Sequence, residues 1–97
     1  MQPVKRVEII TDSLELKELL AAIKACGVTG YSVFHSVTGG GDRGEQLDDD
    51  LTGASNNTYL LTTSDAARLD KLLETVRPIL KRRGGVCMVS DALWLVH

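Results

Sequence analysis

Two stretches of the chain repeat apolar residues at helical spacing, each closed by a glycine and each lying between runs of strand character. In the first, Leu16, Leu19, Leu20 and Ile23 recur at i, i+3, i+4 and i+7, with Glu15, Lys17, Glu18 and Lys24 on the other faces, and Gly27 stops the pattern. Asp12, with Glu15 three residues later, has the form of a capping box at its start. In the second, Leu69, Leu73, Val76 and Leu80 form the stripe, Ser64 or Asp65 caps it and Gly84 ends it. Pro78 is expected to kink or shorten its last turn, because proline has no N–H to give the helix. The strand-like runs are residues 4–10, 29–38, 57–63 and 86–96, the last with a bend or bulge expected at Ser90-Asp91-Ala92.

The order is therefore β-α-β-β-α-β, with a polar, glycine-rich insertion over residues 39–57. That order predicts an α+β fold of the ferredoxin-like type, a four-stranded antiparallel sheet with both helices on one face. At 97 residues the chain makes one domain, residues 1–97, so the second half of any divided site has to come from another subunit. Two helices cover only one sheet face, yet the strands carry large apolar residues on both: Val33 beside Phe34, Tyr59-Leu60-Leu61, Leu93-Trp94-Leu95. Burying such side chains is worth roughly 1.5–3 kcal/mol each, so self-association through the second face is expected.

A formal net charge of −2 argues against a nucleic-acid partner, which needs a concentrated excess of Lys and Arg. No apolar run approaches the roughly 20 residues that span a bilayer, and Met1-Gln2-Pro3-Val4-Lys5-Arg6 lacks the apolar segment of a signal peptide, so no membrane insertion and a cytoplasmic location are expected. Cys26 and Cys87 belong to no Cys-x-x-Cys pair and read as small core residues. Asp48-Asp49-Asp50 lacks the alternating ligand spacing of a calcium loop and reads as a solvated acidic run, so no metal and no resident cofactor are expected. His35 and His97 have no Ser or Cys nucleophile in a recognisable motif beside them, which argues against an enzyme.

The segment Gly27-Val28-Thr29-Gly30-Tyr31-Ser32-Val33, followed by Gly39-Gly40-Gly41-Asp42-Arg43-Gly44, resembles the PII signalling proteins at the strand that leads into their T-loop. The pattern there is Gly-x-Thr-Gly, a strand, then glycines and an arginine at the base of a long mobile loop, which here would run over residues 39–57. Gly30-Tyr31-Ser32-Val33, Gly39 to Arg43 and the ending Gly85-Val86-Cys87-Met88-Val89-Ser90-Asp91-Ala92 are similar to the PII-like proteins of carbon-concentrating systems, the bicarbonate-transporter regulators and the carboxysome-associated group. The nitrogen regulators carry a modified tyrosine in the loop, and this chain has no tyrosine between Gly39 and Asn57.

The resemblance implies a homotrimer that binds an adenine nucleotide between neighbouring subunits, the loop base on one side and a glycine-containing turn before the last strand on the other. It places Ser32 at the adenine ring, Gly39, Gly40, Gly41 and Arg43 at the phosphates, and Arg82, Arg83, Gly84 and Gly85 in the facing turn, with Ile10, Thr62 and His97 completing the lining. The chemistry suits that placement. Glycines let backbone N–H groups approach an anion, Arg43 can make a bidentate contact, and cations are favoured at the helix end before Gly84. The nitrogen regulators put a lysine just after the glycine of that turn and arginines in the last strand. Val86 and His97 stand at two of these places here, so ADP or AMP is expected ahead of ATP, with bicarbonate as a plausible co-ligand by the same resemblance.

The function so implied is a non-catalytic regulator whose loop changes conformation with nucleotide and contacts a carbon-transport or carboxysome-related protein. Two other readings remain open at this point. One is a trimer resembling the CutA proteins, with a metal-related or structural role, and the other is a small nucleotide-hydrolysing enzyme; nucleotide binding separates the first of these from the regulator.

Overall fold

Strand β1 (Gln2–Asp12) lies inside a sheet whose other strands come from three separate parts of the chain. After it come a 3-10 turn (Ser13–Glu15), α1 (Leu16–Ala25), β2 (Tyr31–Val37), the short β3 (Gly39–Gly41) and β4 (Gly44–Gln46), β5 (Asn57–Ser64), α2 (Ala66–Arg83) and β6 (Gly85–Trp94). The computed structural model describes residues 1–41, 44–46 and 56–97. Four strands form an antiparallel sheet in the order β2-β5-β1-β6, the arrangement expected of a ferredoxin-like α+β fold. Within the expected insertion, β3 and β4 pair as a separate ladder, Gly39 with Gln46 and Gly41 with Gly44. Arg43, Asp48-Asp49-Asp50 and most of the expected mobile loop lie outside the described residues.

The sheet's period of two sorts its residues. Val7, Ile9 and Thr11 of β1 and Thr58, Leu60, Thr62 and Ser64 of β5 are buried under the helices. Leu19 and Ile23 of α1 and Leu72, Val76 and Ile79 of α2 close the core. The buried hydroxyls are satisfied: Thr11 Oγ1 donates to Gly84 O at 3.1 Å, Thr62 Oγ1 donates to Gly30 O at 2.7 Å, and Thr58 shares a 3.0 Å hydrogen bond with Ser13. Both cysteines are free and half-buried, with Cys26 Sγ donating to Thr75 Oγ1 at 3.4 Å and Cys87 packed on the core.

Four local expectations change. Asp12 does cap, accepting from Leu14 N at 2.9 Å, but the cap opens the 3-10 turn; Glu15 turns into the protein toward Arg82 instead of closing a capping box. In α2 the buried stripe is Leu72, Val76 and Ile79, flanked by Leu69 and Leu80, so Leu73 belongs beside the core and not in it. The helix runs five residues past Pro78, because Ile79 and Leu80 anchor the turn that proline leaves short of one hydrogen bond. No bend occurs at residues 90–92: the ladder to β1 is continuous, and the polar groups there bond across it, Arg6 Nε to Ser90 Oγ at 3.0 Å and Lys5 to Asp91. The irregularity falls in β2 instead, where the register shifts between Phe34 and Val37 and Ser36 takes the left-handed φ of 59°.

The face away from the helices carries Phe34, Val86, Met88 and Trp94, each roughly half exposed at 48–55%. Across its middle runs a polar chain. Tyr59 OH donates to Glu8 at 2.8 Å, Arg6 lies 3.1 Å from the same carboxylate, and Phe34 meets Tyr59 edge-on at 5.5 Å. The bond to Glu8, with burial and the glutamate charge, raises the Tyr59 pKa above its ordinary value.

Candidate functional site

The turn after α1 is made by one glycine in the left-handed region. Gly27 has φ +91°, and the following Val28 N donates back to Ile23 O at 3.1 Å, which closes the helix and lets the chain re-enter the sheet at Tyr31. Thr62, from β5, fixes the end of this turn through its bond to Gly30 O. Between the turn and the far ends of β1, β5 and β6 opens a cleft of about 680 Å³, lined by Gly27–Ser32, Leu61–Asp65, Arg68, Arg6 and Trp94 among others. That volume is in the range of small-ligand sites. Ser32 is exposed along it, while Thr62 is buried and its hydroxyl is spent on the turn, so Thr62 shapes the cleft. A smaller hollow of about 370 Å³, lined by Pro3, Lys5, Ala66 and Leu93, adjoins it and holds none of the expected residues.

The second group of expected residues lies at the other end of the strands. Gly84 ends α2 with φ 79°, its N–H donating to Leu80 O at 2.7 Å, and Gly85 pairs with Thr11 beside Ile10, which pairs with Val86. A Cβ on Gly85 would stand 2.5 Å from Ile10 O, so only glycine fits against the end of β1. Arg82 donates to Glu15 at 2.8 Å and also pairs with Glu18, and Arg83 Nε lies 3.5 Å from Glu15. The hydrogen bond from Arg82, aided by the charges of both arginines and opposed by burial, lowers the Glu15 pKa. The two arginines thus tie the end of α2 to the start of α1, and a phosphate would have to compete with carboxylates for them.

Register fixes how these groups are disposed. Val37 pairs with Asn57, Asn57 with Asp12 and Thr11 with Gly85, so the loop base at Gly39–Gly41 and the Gly84-Gly85 turn share one end of the sheet. They sit on its two edges, about 14 Å apart at three strand spacings. The cleft with Ser32 and Thr62 lies toward the opposite end, where β6 finishes and His97 follows, exposed. Thr62 pairs with Val7, four residues along β1 from Thr11, or about 13 Å. Within one chain, the loop base and the glycine turn therefore lie at one end of the sheet and the cleft toward the other.

Gly27, Thr29, Thr63 and Arg68 line the cleft and were not among the expected site residues. The Gly27–Gly30 motif was itself the signal for the turn, but nothing in the pattern of α2 distinguishes Arg68 from its other exposed cations. Among the described residues no group of His, Cys, Asp and Glu gathers as a metal site, and no helix is long and apolar enough to cross a membrane.

Comparison with known proteins gives one family and a consistent set of folds. No curated protein sequence matches the chain. Among solved structures it is similar to CPII of Thiomonas intermedia, a nitrogen regulatory PII-like protein solved with ADP, AMP and bicarbonate: TM-score 0.84, 22% identity, covering 93% of this chain and 86% of that one. A further CPII structure, with ADP and bicarbonate, gives 0.81 at 23% identity over 93% and 86%. A PII-like signalling protein of Thermus thermophilus gives 0.78 at 24% identity over 98% and 91%. At such identities these likenesses speak for the fold. The family described as nitrogen regulatory protein P-II matches residues 4–95, nearly the whole chain, and with β-α-β-β-α-β topology and the Gly27–Gly30 turn in place, the chain belongs to the P-II family.

Proposed function

We propose that this chain is a non-catalytic regulatory subunit that binds ADP or AMP, ahead of ATP, in clefts between copies of itself. Nucleotide there changes the conformation of residues 39–57, which contact a protein of carbon transport or a carboxysome-related partner. The observation that carries the reading is the division of the candidate residues between two ends of one sheet. A ligand held by both groups sits between subunits. A contact of one end with the other end of a neighbour is heterologous, and when the rotation closes it builds a ring. The apolar open face supports the same assembly, a homotrimer, with Phe34, Val86, Met88 and Trp94 available to be covered.

The choice of ligand is supported by the CPII structures with ADP, AMP and bicarbonate. It is supported also by Val86, which removes a cation from beside the Gly84-Gly85 turn where a third phosphate would want one. Calorimetry against AMP, ADP and ATP, each with and without bicarbonate, tests the reading, with sedimentation on the same samples. Binding of ADP or AMP to a trimer is the expected result. A monomer at micromolar concentration overturns the intersubunit site, and a trimer that binds no adenine nucleotide returns the protein to a structural role like that of the CutA proteins. Hydrogen exchange over residues 40–55 tests the switch: amides that nucleotide leaves unchanged would remove it.

A further inference from the structure

The residues that follow the central strand are bonded on two sides. Toward α2, Thr11 Oγ1 donates to Gly84 O at 3.1 Å, Arg82 donates to Glu15 Oε2 at 2.8 Å, and Arg83 Nε lies 3.5 Å from Glu15 Oε1. Toward β5, Ser13 donates twice to Asn56 O, from its N–H at 2.8 Å and from its hydroxyl at 2.9 Å. The 3.0 Å bond that Ser13 shares with Thr58 is therefore donated by Thr58 Oγ1. Asp12 stands between the two sets, its Oδ1 accepting from Leu14 N at 2.9 Å and its Oδ2 4.0 Å from Arg83 Nη1.

Thr11, Glu15 and Thr58 are all buried, where polar bonds are stronger than in water and a lost partner leaves a costly unpaired group. Ser13 and Glu15 are the two ends of a three-residue 3-10 turn, so a shift at one end moves the other. The β5 side is held at a cost. Asn56 Oδ1 is buried without a hydrogen-bond partner, while the carbonyl of the same residue takes both bonds from Ser13. Across the ladder, Ser36 keeps its left-handed φ of 59° one residue before Val37, which pairs with Asn57. Both roots of the 39–57 segment thus carry an unfavourable feature that release would relieve.

We propose that residues 11–15 are a coupling element: a change at the Gly84-Gly85 turn passes through Glu15 and Ser13 to Asn56, at the return root of the 39–57 segment. It connects two places that lie at one end of the sheet but on different strands. The proposal rests on the nucleotide reading above only for what sets the element in motion, a ligand at the glycine turn; the coupling itself belongs to the chain without ligand. By linkage the effect runs in both directions.

Amide exchange followed by NMR on the full chain decides it, with Arg82→Ala, Ser13→Ala, Glu15→Gln and Arg77→Ala. Arg82 pairs with Glu15 and Glu18, Ser13 bonds to nothing on α2 among the described residues, and Arg77, paired with Glu74, is the control. Arg82→Ala should speed exchange at the Ser13 N–H by about threefold or more, beyond any change at the core amides of Ile9 and Leu60, which read global opening. Ser13→Ala should do the same at the Gly84 N–H, which donates to Leu80 O. Arg77→Ala should change neither. In the unaltered protein ADP should alter exchange at Ser13, and in Glu15→Gln ADP should still bind with that effect at least halved. Cross effects no larger than those at the core amides, or equal effects from Arg77→Ala, overturn the proposal. So does ADP that binds without altering Ser13, or whose effect Glu15→Gln leaves whole. If the unaltered protein binds no ADP, the nucleotide reading falls, and the cross effects without ligand alone decide the coupling.

Discussion

Gly85 is where a single added methyl group should do most harm. Its φ of +142° is a backbone conformation that side chains rarely adopt, and a Cβ there would stand 2.5 Å from Ile10 O, 2.9 Å from Leu80 Cδ2 and 3.2 Å from Thr11 Cβ. Leu80 can shift, but Ile10 O belongs to the central strand between two ladders and has nowhere to move. The backbone strain costs about 1–3 kcal/mol and the overpacking about 1–3 kcal/mol more, so Gly85→Ala should lose about 2–6 kcal/mol. Domains of this size have about 5–15 kcal/mol in all, and each kcal/mol moves the melting point by about 4–8 °C, so a fall of at least about 8 °C is expected. Gly30→Ala is the matched control, since a Cβ at Gly30 meets nothing within 4 Å and its φ lies outside the glycine-favouring range. Thermal denaturation followed by circular dichroism, at one fixed protein concentration because assembly shifts the midpoint, gives the comparison. A Gly85→Ala melt within about 3 °C of the unaltered protein, or a Gly30→Ala melt that falls as far, would refute the reasoning.

Three further outcomes are expected. Arg43→Ala should weaken ADP binding by about ten- to a hundredfold and adenosine much less, by calorimetry; equal losses would mean that the arginine shapes the loop. Glu15 has its pKa lowered from the ordinary 4.5, chiefly by its hydrogen bond from Arg82, so its stabilisation is complete above that value and is lost as pH falls through the lower folded one. The stability advantage of the unaltered protein over Glu15→Gln, read from urea midpoints, should therefore be constant near about pH 6 and narrow by about pH 3, and a gap that did not narrow would count against the ion-pair account. Phe34→Asp puts a charge on the open face and should shift sedimentation toward the monomer; intact assembly would mean that the subunits meet through another surface.

The parts of the fold legible in the sequence were those where one physical pattern dominates. Val7, Ile9 and Thr11 alternate because β1 is covered on one side only, and the glycines at 27 and 84 stop helices because each takes a positive φ there. Where two patterns overlap, the sequence alone does not decide between them. Leu69, Leu72, Leu73, Val76, Ile79 and Leu80 contain two helical stripes a residue apart, and only the position of the sheet decides which one is buried. Ser90 and Asp91 looked like a break because both are polar, yet each has a cation opposite it on β1. Arg82 and Arg83 illustrate a different limit: their carboxylate partners lie about 65 residues earlier, in the 3-10 turn and the start of α1, and no local pattern pairs them. Arg68 and the cleft it borders arise the same way, from a turn and a helix that meet only when the sheet has formed.

The pairing of β1 with β6 joins Gln2 to Trp94 and Thr11 to Gly85, nearly the whole length of the chain apart. Ladders between such distant segments must close a long loop before they gain anything, which slows folding relative to chains held by local contacts. On a ribosome, one edge of β1 has no partner until residues 85–94 have been made, and during that interval its hydrogen-bonding groups are open to other chains. A chain cut short within β6 is thus expected to yield aggregate and no smaller folded protein, because the strand that should be central would be left at an edge.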